Sequence, residues 1–145
     1  MRYPFRKTPD MKDLKLGMTV YLLRYGAKDK LGAVEGEIVK IGRKYISIKE
    51  KRSSQFFPIV YQFDFTDGYL EKPGVYGRSF DLFFSMEEID DFFLHQEMME
   101  KINAMSNYAY YLTTHQLKQI CDLLEKGKRD SRRGVVKHGK PSAGD

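Results

Sequence analysis

The sequence predicts an α+β protein: a small β-barrel of about five strands followed by two α-helices. Three observations support this. Residues 16–84 alternate apolar and polar side chains in short runs broken by glycine, proline and aspartate, the pattern of half-buried strands. Two sequences of the form Ser/Thr-x-x-Glu/Gln, Ser85-Met-Glu-Glu88 and Thr113-Thr-His-Gln116, stand before helical periodicity. No apolar run approaches the roughly 18 residues that would span a membrane.

Residues 1–13 contain Pro4 and Pro9 without periodicity and are expected to form a flexible arm. The barrel is expected over residues 14–84. Its first strand lies within Leu16–Tyr25, where Met18, Val20 and Leu22 alternate with Thr19 and Tyr21. Gly36–Ile48 reads as a hairpin with a cationic tip. Pairing Ile41 with Ile46 and Val39 with Ile48 puts all four on one face, leaving Gly42 free to take a positive φ and Arg43 and Lys44 in solvent. Phe56–Phe65 follows as a strand in which Ile59, Tyr61, Phe63 and Phe65 alternate with Val60, Gln62 and Asp64. Asp67-Gly68 marks a turn, and Ser79–Phe84 a final strand.

Residues 85–126 are expected to form the two-helix element. In the first helix Ser85 and Glu88 satisfy free amide donors, and Glu87, Asp90 and Asp91 favour the positive end of the helix dipole. Ile89, Phe92, Phe93, Met99, Ile102 and Met105 supply its apolar stripe. The second helix presents Leu117, Ile120, Cys121 and Leu124, with Gly127 as its stop. Residues 127–145 read as a basic disordered tail.

The single cysteine, Cys121, cannot form an internal disulfide, and the first residues lack the apolar core of a secretory signal. Both point to a cytoplasmic protein. The net charge of +5 is strongly segregated: +3 over residues 1–15, +5 over 16–52, −8 over 53–125 and +5 over 126–145. Such a molecule steers charged partners through local fields.

Catalytic constellations are weak. His95, His115 and His138 have no Cys or His neighbour at zinc-ligand spacing, and Cys121 reads as a buried small hydrophobe. Gly74-Val-Tyr-Gly77-Arg-Ser79 lacks the Gly-Lys-Ser/Thr ending of a phosphate loop. The expectation is a non-enzymatic protein with no cofactor, no metal and no small-molecule substrate. The binding signal is a set of cations interleaved with aromatics: Arg24, Tyr25, Arg43, Lys44, Tyr45, Lys49, Lys51 and Arg52. If their loops converge on one rim, the cations could follow a phosphate backbone while Tyr25 or Tyr45 stacks on bases. Lysine-rich strand edges equally serve to prevent edge-to-edge aggregation. A second candidate surface is acidic: Glu87, Glu88, Asp90 and Asp91 could dock on a basic protein, or could simply solvate and cap the helix.

Leu16-Gly-Met-Thr-Val-Tyr21, Gly36-Glu-Ile-Val-Lys-Ile-Gly-Arg-Lys-Tyr45 and Tyr76-Gly-Arg-Ser-Phe-Asp-Leu-Phe-Phe-Ser85 resemble small β-barrel-domain proteins of bacteriophages and prophages. The likeness covers roughly residues 14–126 and extends to KOW and other SH3-like barrels. It implies an SH3-like barrel and a phage setting, with no catalytic residues to carry over. The expected function is an accessory module that docks on nucleic acid or a host nucleoprotein through the basic hairpin surface. The alternative is an inhibitor of a host defence nuclease, of anti-CRISPR type, acting through the acidic helix.

Overall fold

In the computed structural model, residues 9–75 and 77–138 are described, with side chains as far as Arg132. Six antiparallel strands form one sheet: β1 (Thr19–Arg24), β2 (Ala33–Ile41), β3 (Tyr45–Glu50), β4 (Val60–Asp64), β5 (Leu70–Glu71) and β6 (Phe80–Phe83). Their spatial order is β5-β4-β3-β2-β1-β6, and the sheet curls into a nearly closed barrel. Two helices follow, α1 (Met86–Met105) and α2 (Thr114–His138). The α+β class and the barrel-then-helices order are as expected; the strand count is six. Of the described residues, those from 9 to 92 belong to one compact unit, and the helical residues from 93 onward belong to a second.

The barrel interior is built by alternation. Val20 and Leu22 of β1, Ile38 of β2, Ile46 and Ile48 of β3, Phe63 of β4, and Phe80 and Leu82 of β6 are all buried in one cluster. Gly36 lies among them because no larger residue fits. A Cβ there would meet Ile48 Cγ2 at 2.6 Å and the Lys49 carbonyl oxygen at 3.1 Å.

The hairpin departs from its expected register at one point. Ile41 pairs with Ile46 as expected, but Ile38, not Val39, faces Ile48, and a bulge lies between Ile38 and Lys40. The extra residue shifts the alternation by one, so Ile38 and Ile41 both turn inward and Val39 is left 40% exposed. Gly42 does not adopt a positive φ. Its role is close approach: its N–H donates to the Tyr45 carbonyl at 2.9 Å, and a Cβ would sit 3.2 Å from the same oxygen.

Positive φ falls instead at Gly68 (62°) and Tyr69 (58°), the turn into β5. Tyr69 is held in that conformation by burial, by its hydroxyl donating to the Pro9 carbonyl at 3.1 Å, and by an edge-on contact of its ring with Phe84 at 4.9 Å. Within the segment 1–13 expected as a flexible arm, this bond joins Pro9 to Tyr69, and a short turn follows at Met11–Asp13. Residues 1–8 lie outside the described residues.

The Glu71 side chain bridges the gap between β5 and β6. Glu71, 5% exposed, accepts hydrogen bonds at Oε2 from the backbone N–H groups of Ser79 (2.6 Å) and Phe80 (2.8 Å). Arg78 Nε donates to the Glu71 carbonyl at 2.7 Å. A carboxylate thus does the bridging that a strand backbone would otherwise do.

Both helices start at the expected caps. Glu88 N–H donates to Ser85 Oγ (3.1 Å), and Glu88 Oε2 accepts from Phe84 N–H (3.0 Å). Gln116 N–H donates to Thr113 Oγ1 (3.2 Å), and Gln116 Oε1 accepts from Thr113 N–H (3.0 Å). The first turns of α1 bury Ile89, and Phe92 meets Phe83 edge-on at 5.5 Å. Beyond Phe93 the expected apolar stripe is exposed, and Cys121 is exposed as well, so neither is core. The second helix does not stop at Gly127 but runs to His138. One glycine costs a helix only about 1 kcal/mol, and Glu125, Lys126, Lys128, Arg129 and Arg132 around it are good helix formers. Residues 127–138 are therefore helical where a disordered tail was expected, and residues 139–145 lie outside the described residues.

Candidate nucleic-acid interface

The eight basic and aromatic candidates do not meet on one rim. Arg43, Lys44 and Tyr45 occupy the β2–β3 turn. Arg24 and Tyr25 lie at the other end of β2, since Leu23 pairs with Ala33. β2 has nine residues, so at about 3.4 Å each its ends are separated by roughly 25–30 Å. Lys49, in register with Glu37, lies on the half of β3 away from the turn, and Lys51 and Arg52 follow β3 at that end.

At the turn, Lys44 Nζ is 3.6 Å from Asp64 Oδ2 and 5.4 Å from the centre of the Tyr45 ring. Lys72, not foreseen, places its ammonium 5.3 Å from the same ring. Tyr45 and then Asp64 hold the Lys44 pKa above its ordinary 10.5. Tyr45 therefore gathers two cations, and a base stacking on it would have to displace them. At the opposite end, the Arg24 guanidinium lies 5.3 Å from the centre of the Phe80 ring. Burial, then the Asp81 and Glu71 carboxylates, raise the pKa of Tyr25. Lys51 Nζ donates to Thr19 Oγ1 at 2.7 Å and lies 3.6 Å from Glu35 Oε2. Arg52 has no ion-pair partner among the described residues.

The β3–β4 connection, residues 51–59, is a loop where the apolar pattern led us to expect a strand from Phe56. Its base is closed by the Glu50 N–H donating to the Ile59 carbonyl at 3.0 Å. Ser53 Oγ donates to the Glu50 carbonyl at 2.7 Å, and Ser54 Oγ accepts from the Phe56 N–H at 3.1 Å. These bonds shape a loop that presents Phe56 and Phe57, 86% and 82% exposed, a few residues from Lys51 and Arg52. No carboxylate lies between Lys51 and Ile59. Pro58 is the signal that could have found them: without an N–H it breaks a ladder, so the strand had to begin after it. Two adjacent phenyl groups this exposed contribute little to the packing of the barrel, and they stand a few residues from two cations.

A family model for the phage ProQ C-terminal-like domain matches residues 1–128. The chain belongs to that family. Membership in this phage ProQ C-terminal-like family agrees with the phage setting that the sequence resemblance implied. No curated protein and no solved structure matches the chain.

The acidic candidates of this family member are divided in use. Glu88 is engaged in the cap of α1, whereas Glu87, Asp90 and Asp91 are exposed along its first turns. No helix among the described residues is long and apolar enough to cross a membrane.

Proposed function

We propose that this chain is a non-enzymatic RNA-binding module that grips a single-stranded segment with the loop between β3 and β4. ProQ-like domains bind RNA, which supports RNA as the ligand. The observation that carries the reading is the near-complete exposure of Phe56 and Phe57 beside Lys51 and Arg52. The phenyl rings stack on unpaired bases while Lys51, Arg52 and Lys49 follow the phosphates. Stacking of this kind is worth about 1–3 kcal/mol per base and tolerates sequence, so affinity depends more on single-strandedness than on base identity. The lysines around Tyr45 form a second cationic patch along the backbone path.

The test is fluorescence anisotropy with single-stranded RNA oligomers at several salt concentrations. Replacing Phe56 and Phe57 together by alanine is expected to weaken binding by about 1.5 to 4 orders of magnitude. Replacing Lys51 and Arg52 by alanine should reduce the salt slope by about 0.7 for each phosphate no longer neutralised. Unchanged affinity in the double phenylalanine variant refutes the assigned surface, and absence of RNA binding at low salt refutes the function.

A further inference from the structure

Among the described residues, neither helix has a partner along its exposed apolar face. From Leu94 onward α1 presents Leu94, Met98, Ile102 and Met105 at spacings of four, four and three residues, a single stripe. The corresponding stripe on α2 is Leu117, Ile120 and Leu124. Ile102 and Leu124 are 65% and 66% exposed, and among the described residues from 93 to 132 none is buried. Among the described residues from 93 onward, α1 and α2 do not pack along one another. In proteins most helical stability comes from packing of an amphipathic face rather than from intrinsic propensity.

The two helices are complementary in charge and order. α1 carries six carboxylates against one lysine, with four of the carboxylates before its apolar stripe. α2 carries seven Lys and Arg against three carboxylates, with all but Lys118 of its cations after its apolar stripe. Laid antiparallel, apolar stripe meets apolar stripe, and Glu87 and Asp90 come opposite Lys128 and Arg132.

We propose that two copies of this chain form a symmetric dimer through these helices, with α1 of each copy lying antiparallel on α2 of the other. The arrangement is self-complementary, as a two-fold interface requires, because each copy supplies one acidic and one basic helix. A stable interface takes about 20–30 residues per side. Helices of 20 and 25 residues supply that number. The dimer reaches beyond the RNA-binding reading and does not depend on it.

Sedimentation velocity of the full chain between about 1 and about 100 µM tests it. The expected species at the upper end has twice the 17.0 kDa mass of one chain. Met98→Lys with Ile102→Lys, both at exposed positions, should give a monomer while circular dichroism shows the barrel intact. Glu87→Lys with Asp90→Lys should weaken the dimer about tenfold or more, equivalent to about 1.4 kcal/mol or more. Adding Lys128→Glu and Arg132→Glu should restore it. A monomer across the whole range, as when α1 and α2 of one chain fold onto each other, overturns the proposal. So does a dimer that neither set of substitutions weakens.

Discussion

Replacing Glu71 by alanine should open the barrel at its seam. The Glu71 carboxylate, 5% exposed, accepts from two backbone N–H groups, those of Ser79 and Phe80. A hydrogen bond to a charged group contributes about 1.5–3 kcal/mol, and a buried donor left without an acceptor costs about 1–3 kcal/mol. Losing both bonds therefore costs about 3–5 kcal/mol in Glu71→Ala. Both donors reach the same oxygen, so Glu71→Gln can offer its amide oxygen to each and lose only the charge assistance. Its expected cost is about 1–2 kcal/mol. For a unit of this size 1 kcal/mol lowers Tm by about 4–8 °C, which puts the alanine variant about 12–40 °C below the parent. Thermal and urea unfolding followed by circular dichroism measure both. An alanine variant within about 1 kcal/mol of the parent would refute the view that this side chain closes the barrel.

The bulge in β2 makes neighbouring residues unequal: Ile38→Ala should cost about 2–4 kcal/mol and Val39→Ala less than about 1, and equal costs in urea unfolding would mean that the bulge is absent. Gly36→Ala pushes a methyl to 2.6 Å from Ile48 Cγ2 and should destabilise by about 1–3 kcal/mol, so a neutral result would contradict the close approach of β2 and β3. Burial and then Glu50, whose Oε2 accepts from the Tyr61 hydroxyl at 3.3 Å, raise the pKa of Tyr61 above the ordinary 10.0. The folded state therefore holds that proton more tightly than the unfolded one. Its contribution is complete below pH 10.0 and is lost as pH rises through the folded pKa. Tyr61→Phe should flatten the alkaline decline in stability, and an unchanged slope would remove Tyr61 as its source.

What could be read in the sequence was local and periodic. Ser85 with Glu88 and Thr113 with Gln116 announce helix starts because each box satisfies its own donors within four residues. The alternation of Val20 and Leu22, or of Phe80 and Leu82, is fixed by a strand with one buried face. The bulge at Val39 was hidden because Ile38, Val39 and Ile41 are all apolar, so either phase of alternation fits the residues. β5 is only Leu70–Glu71, too short for any period, and its glutamate reads as polar surface until a closing barrel buries it. For the candidate site, the cations were visible one by one but their distribution over two ends of β2 was not, since it depends on which strands pair. Phe56 and Phe57 resemble core residues in composition, and only Pro58 argued otherwise.

The seam at Glu71 also bears on how copies of the chain meet. β5 and β6 are the two edges of the sheet, and an edge with free N–H groups is a template on which another strand can pair. By engaging the Ser79 and Phe80 amides, the Glu71 carboxylate removes two of those donors and places a charge where an incoming strand would have to lie. The same side chain that shuts the barrel therefore blocks sheet-to-sheet growth into aggregates, and a variant lacking it would lose its solubility through the edge that had opened.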